Sequence, residues 1–201
     1  RSAAGVLPLM SHVLEVAWQR RDKDRLTIAA YRAAGGVRGS VMATAEQAWS
    51  KLDAAERTAA QVMVVRLVQL SDDARDTGRH IAKTDLLRGL DPDAATTAFE
   101  TLAAARLLSI GDDGLVSLTH EIVIESWPRL REWLDADREG ILFRQRLERD
   151  AHEWELQGRP RGLLWNSARL ADARRHVTPR DETTSDFVAA AAARRRWLLS
   201  S

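Results

Sequence analysis

The sequence predicts a mostly α-helical chain with one small β-hairpin. Apolar residues recur at helical spacing along most of its 201 residues, as at Ala59, Met63, Leu67 and Leu70. "LLSIG" and "LVSL", on either side of "DDG", give the clearest hairpin signal, because Asp113-Gly114 favours a tight turn between two β-prone runs. Polar, Gly and Pro clusters interrupt the helical pattern often enough to make the helices short.

The first helix begins near Pro8, a residue that suits a first turn because its missing N–H is not needed there; Leu9, Val13 and Val16 then share a face. "RRDKDR" ends it. "LTIAAYRAAGG" stops at Gly35-Gly36, and "VRGSVMATAEQAWSKL" continues as helix to Leu52. Asp53, with Glu56 three residues on, forms a capping-box pattern that opens a core helix. "SDDARDTG" is a polar loop and "RHIAK" a small strand. Thr84 caps the brief helix "DLLRGL", and Asp93 caps the next, along which Ala95, Phe99, Leu102 and Arg106 share a side. After the hairpin, everything from Thr119 is helical. "LVSLTHEIVIESW" is a strand running into a helix with His120 on its first turn. Trp127, Leu130 and Leu134 form one core stripe, and Phe143, Leu147, Ala151 and Trp154 another. "QGRPRG" is a turn, a helix runs through Trp165 and Leu170, "HVTPRD" breaks it, and "SDFVAAAAARRRW" is the last helix.

Helix, helix, small strand, helix, helix, hairpin is the order of a winged helix. The sequence therefore divides into 1–36, the end of a preceding helical region; 37–119, a winged-helix domain; and 120–197, a helical arm or bundle.

Composition narrows the function. With 45% hydrophobic and 29% charged residues the chain buries a real core. Its 30 basic and 29 acidic residues leave a net charge of +1, so there is no global electrostatic case for nucleic acid or a membrane surface. The absence of cysteine excludes disulfides and thiolate metal sites, and with neither a signal peptide nor a long apolar run the pattern fits a reducing, cytoplasmic compartment. The abrupt termini suggest a piece of a larger protein. Arg194 to Arg196 admit two readings: cations that complement a helix C-terminus, or the cytoplasmic edge of a membrane span that begins beyond Ser201.

The motifs of catalysis are missing. No GxxxxGK[ST] phosphate loop occurs, and "GGVRGS" lacks the lysine, so this chain is not an enzyme on its own. "HE" at 120 and 121 starts like a zinc-protease helix, but position 124 is Ile where the second histidine belongs. His12, His80, His152 and His176 show no ligand spacing, and no serine sits in a GxSxG elbow. No metal site is expected. Nor is DNA binding: the would-be recognition helix "DAATTAFETLAAAR" carries Asp93 and Glu100 with one arginine at its end, and the wing tip is "GDDG". His120 poses a sharper question. Free N–H groups at a helix start disfavour an imidazolium and suit an anion, so the position favours either a neutral imidazole or one that faces a phosphate.

"GVLPLMSHVLEVAW" (5–18), "AYRAAGGVRGS" (30–40), "LVSLTHEIVIESWPRLREWLDADREG" (115–140) and "EWELQGRPRGLLWNSARLADA" (153–173) together resemble the novel STAND NTPases, the signal-transduction ATPases with numerous domains. The likeness is to bacterial members in which a P-loop module, a winged helix and a helical segment precede a WD-repeat propeller, often with a membrane span between. It implies that His120 touches the β-phosphate of ADP held by the upstream P-loop domain, with Thr119-His120-Glu121 standing where relatives have Met-His-Asp. Glu121 then orients the imidazole or caps the helix. It also implies that Pro8 lies near the adenine, although "GVLP" has one residue more than the family's Gly-x-Pro. ADP or ATP with Mg is thus expected in the full-length parent only, not held by this chain alone. The resemblance implies, as partners, the upstream NTPase domain and a downstream propeller in the same chain, with homo-oligomerisation on activation and an adjacent membrane span as further options. Two readings of other classes stay open: a winged-helix transcriptional regulator, and a helical interaction scaffold without nucleotide contact.

Overall fold

In the computed structural model the described residues are Trp18, 36–72, 74–166, 168–171 and 182–199. They are mostly helical with small antiparallel sheets and fall into two units. Unit 1 holds the described residues up to Gln69 and those from 74 to Asp135; unit 2 holds Leu70–Asp72 and those from Ala136 onward. The expected helix at Pro8 and the "HVTPRD" break lie outside the described residues.

Unit 1 begins with α1 (Gly36–Ser50) and α2 (Ala54–Arg66). The capping box at Asp53 forms as its sequence predicts. The Asp53 carboxylate accepts from the Glu56 N–H at 2.8 Å, and the Glu56 carboxylate accepts from the Asp53 N–H at 2.8 Å. Four otherwise orphaned donors open every helix, and this pair satisfies two locally. Strands β1 (Val68–Gln69) and β2 (Thr77–Gly78) pair antiparallel, so the polar loop "SDDARDTG" ends in a two-residue strand that propensity alone does not show.

β3 (Ile81–Ala82), α3 (Lys83–Leu87), α4 (Pro92–Ala104), β4 (Leu108–Ile110) and β5 (Leu115–Leu118) follow. The three strands form an antiparallel sheet in the order β3-β5-β4, with Ile81 opposite Val116 and Ser109 opposite Ser117. At the hairpin tip Gly114 adopts φ 75°, and the Asp113 carboxylate accepts from the Leu115 N–H at 3.0 Å. The core lies between α2 and α4, where Met63, Val64, Phe99 and Leu102 are buried together with Leu86 of α3.

Three local expectations need correction. Asp91, not Asp93, caps α4: its carboxylate accepts from the Ala94 N–H at 2.9 Å, because Pro92 takes the first helical position and fixes the cap one residue earlier. Thr84 lies inside α3, whose start at Ala82 has no side-chain cap. Arg106 does not continue the apolar side of α4, which ends at Ala104. Arg106 turns left-handed at φ 56° and is exposed, while the Leu107 N–H bonds back to the Leu102 carbonyl at 3.0 Å and its own N–H to Ala103 at 2.9 Å. Those two bonds are a Schellman cap, with an arginine where glycine is usual.

α5 (Ile122–Ser126) and α6 (Pro128–Ala136) complete unit 1. They are two helices because Trp127 precedes a proline, which excludes helical backbone there; its φ of −95° and ψ of 102° are extended.

Unit 2 is built on α7 (Arg138–Leu156) and α8 (Glu182–Leu199), which pack together. Between them lie the 3-10 turn Arg161–Leu163 and a helical stretch at 168–171, capped by Asn166, whose side-chain oxygen accepts from the Arg169 N–H at 3.1 Å. Trp165 precedes that helix and is not part of it. α7 ends in a second Schellman cap with Gly158 at φ 78°. Leu147, Ala151, Trp154, Trp165, Leu170 and Phe187 form its core, with the Phe187 ring edge-on to Trp154 at 5.6 Å and to Trp165 at 5.7 Å. Arg138, Gln145 and Arg146 of α7 bond to Ser71, Leu70 and Asp72, which is why that three-residue segment belongs to this unit. Arg194 donates to the carbonyls of Arg161 at 2.9 Å and Leu164 at 3.3 Å, so it closes the 3-10 turn. Among the described residues no helix is long and apolar enough to cross a membrane.

Candidate functional site

His120 sits at the junction of β5 and α5, where a strand end and a helix start compete for the same backbone. The strand ladder wins first: the Thr119 N–H still donates to the Leu107 carbonyl at 3.0 Å. The helix therefore starts later than its sequence suggests, at Ile122, with Glu121 as the cap residue in helical geometry. His120 is thus one residue before the cap, not on the first turn. Its carbonyl accepts from the Val123 N–H at 3.1 Å, which ties it to the helix it introduces, and its side chain is half-buried.

The neighbours of the imidazole in sequence have opposite characters. The Thr119 hydroxyl is sealed from solvent with no hydrogen-bond partner among the described residues. The Glu121 carboxylate accepts from the Gly78 N–H of β2 at 3.3 Å, and Glu125, one turn on, accepts from Arg38 at 3.1 Å and Arg75 at 3.3 Å. Both carboxylates are engaged, and the two guanidinium groups offset the charge that would repel an anion nearby. The donors at this junction are the half-buried imidazole and the exposed guanidinium groups of Arg38 and Arg75, which is less than a whole phosphate site. With only five residues, α5 adds little dipole to it.

A second constellation, which sequence reasoning missed, lies on the other side of Trp127. Glu46 of α1 accepts from the Trp127 indole N–H at 2.7 Å and from Arg129 at 3.1 and 3.0 Å. The hydrogen bond from Arg129 holds the Glu46 carboxyl below the usual carboxylate range; burial opposes this, and the Trp127 indole and the charge of Arg129 reinforce it. Trp49, Trp127 and Trp133 pack ring to ring, at 6.2 Å between Trp49 and Trp127 and 4.9 Å between Trp49 and Trp133, with Arg129 over the Trp49 face at 5.2 Å. Glu46 and Arg129 are 83 residues apart, and no local pattern announces such a pair.

His120 is the sequence-predicted site residue that the structure describes. Pro8 lies outside the described residues, as do His12 and His176, so nothing joins Pro8 to His120 here. His80 and His152 are exposed, in different units. Among the described residues no cluster of three or more His, Asp or Glu side chains could hold a metal ion.

With that geometry in view, the comparisons with known proteins fix the class. Residues 1–162 match the novel STAND NTPase 1 family, which covers most of the 201-residue chain. The chain belongs to the novel STAND NTPase 1 family. No curated protein and no solved structure matches it.

Proposed function

We propose that this chain is the regulatory part of a STAND-type ATPase, a nucleotide-dependent switch that closes over ADP held by an upstream P-loop module. On this reading residues 37–119 are a winged helix, within unit 1, α2, α3 and α4 being its three helices and β4-β5 its wing. The sheet order β3-β5-β4, with the hairpin directly after α4, supports that assignment. The observation that carries the function is the family match together with a half-buried histidine held at the strand-to-helix junction.

Bound ADP would supply phosphate oxygens as hydrogen-bond acceptors. The chain's own part is to present a ring N–H of His120 to them. Glu121 fixes the junction through the Gly78 N–H, and Arg38 and Arg75 neutralise Glu125. Moving a two-state element from mostly closed to mostly open takes roughly 5 kcal/mol of differential binding. One charge-assisted hydrogen bond contributes about 1.5 to 3 kcal/mol, so His120 accounts for a sizeable share and other contacts for the rest. Pro8 near the adenine is a second such contact in this proposal. In this proposal nucleotide and magnesium binding, and hydrolysis, belong to residues upstream, in keeping with a sequence that carries no phosphate loop. A downstream propeller as sensor completes the proposal. The exposed positions of α4, Asp93, Thr96, Thr97 and Glu100, offer no cation to a DNA backbone, which favours this switch over a transcriptional regulator.

The test uses the parent protein extended upstream through its phosphate loop, with and without His120→Ala. Released ADP is quantified after denaturation, and folding is checked by circular dichroism. Near-stoichiometric ADP in the wild type, with affinity reduced about 10- to 100-fold in a folded variant, is expected. Equal retention by both would refute the phosphate contact.

A further inference from the structure

Helix α1 is attached to unit 1 differently from α2 and α4. Those two bury large side chains against each other, whereas the fully buried residues described on α1 are Ser40, Val41, Ala45 and Ala48, small groups that remove little apolar surface from water, with Trp49 half-buried. α1 packs chiefly on α5, and each helix brings a buried hydroxyl, Ser40 Oγ and Ser126 Oγ, that has no hydrogen-bond partner among the described residues. A hydroxyl sealed in this way has given up its bonds to water and gained none, so each favours the open arrangement.

Much of what holds α1 down is polar and lies near the surface. Arg38 and Glu125 pair at 3.1 Å with side chains 70% and 39% exposed, and the Glu46–Arg129 pair at 3.0 Å is 40% and 39% exposed. Exposed pairs contribute little and weaken with salt. The Trp127 indole bond to Glu46 and the contact of Trp49 with Trp127 and Trp133 add a closure at the C-terminal end of α1. There the buried Leu52 anchors the turn into α2.

We propose that α1 is a releasable latch, which lifts from α5 and α6 as one element while α2, α3, α4 and the sheet stay folded, with the Glu46 clasp as its catch. Its release frees α5, the short helix that follows His120, from the Arg38 and Glu46 contacts that hold α5 and α6 to α1. This holds whether or not His120 meets a phosphate.

Hydrogen exchange of the 201-residue chain without nucleotide, followed by mass spectrometry on peptides from α1, α2 and α4, tests it. The α1 amides exchange at least about tenfold faster than those of α2 and α4, as a local opening requires. Ser40→Ala removes a hydroxyl that favours opening and slows α1 exchange about fivefold, without change in α4. Glu46→Gln weakens the catch and speeds α1 about fivefold. If α1 exchanges only as fast as α2 and α4, it leaves only on global unfolding and the latch is wrong. An unchanged or faster α1 in Ser40→Ala overturns it too, and that arm decides even where Glu46→Gln fails to fold.

Discussion

The two Schellman caps invite a paired experiment, because they place different residues in the same backbone conformation. At the end of α4 the left-handed position is Arg106, φ 56°; at the end of α7 it is Gly158, φ 78°. A side chain in that region costs roughly 1 to 2 kcal/mol through the clash of Cβ with the following carbonyl. Glycine escapes that cost but loses more backbone freedom on folding, by about 0.5 to 1 kcal/mol. Arg106→Gly therefore stabilises the chain by about 0.5 to 1 kcal/mol, provided the arginine side chain contributes nothing itself. That condition holds: the residue is exposed, and no ion pair engages it among the described residues. Gly158→Ala has the opposite sign. A Cβ at Gly158 meets nothing within 4 Å, so its cost of about 1 kcal/mol is conformational alone. Urea denaturation of both variants, followed by far-ultraviolet circular dichroism, reads the two signs at once. A destabilised Arg106→Gly with an unchanged denaturant slope would refute the reasoning and show that the arginine head group makes a contact the strain is there to serve.

Two further outcomes concern the packing. Because the Glu46 carboxyl titrates below its ordinary value, its contribution is fully present above the unfolded-state pKa, near about 4, and is lost as pH falls through the lower folded value. Glu46→Gln removes this contribution, so the stability gap between wild type and variant, measured as urea midpoints, narrows below about pH 4; a gap that widens there contradicts the assignment. Phe187, fully buried between Trp154 and Trp165, loses about 3 to 5 kcal/mol on substitution by alanine, measured by the same denaturation, and a loss below about 1 kcal/mol would mean that the unit 2 core is not closed over it.

Legibility in the sequence followed the range of the interaction. The Asp53–Glu56 capping box and the Asp113-Gly114 turn are encoded by neighbours, and both formed where their patterns put them. The cap at Asp91 was equally local; Pro92 signals it, and Asp93 competes only when the proline is read as part of the loop. The sequence pattern places the start of α5 two residues early, because the last ladder bond, from the Thr119 N–H to Leu107, is a tertiary contact. The Glu46 node was invisible for a stronger reason. Glutamate in a helix is ordinary, and only folding brings it to Arg129 and the Trp127 indole. His120 stood out through a junction and a family likeness, not through any spacing that names its partner.

The acidic tip of the β4–β5 hairpin has a consequence for solubility. The three-stranded sheet ends on β3, two residues long, and β4, three residues long, so its open edges offer a passing molecule very few backbone groups to pair with. Ile110, 55% exposed on β4, is the apolar position from which such sheet extension would begin, and Asp112 and Asp113 follow it at the tip. A copy approaching edge to edge in parallel register brings its own pair of carboxylates against these. These charges therefore guard the hairpin against that pairing, and replacing Asp112 and Asp113 with neutral residues removes the guard.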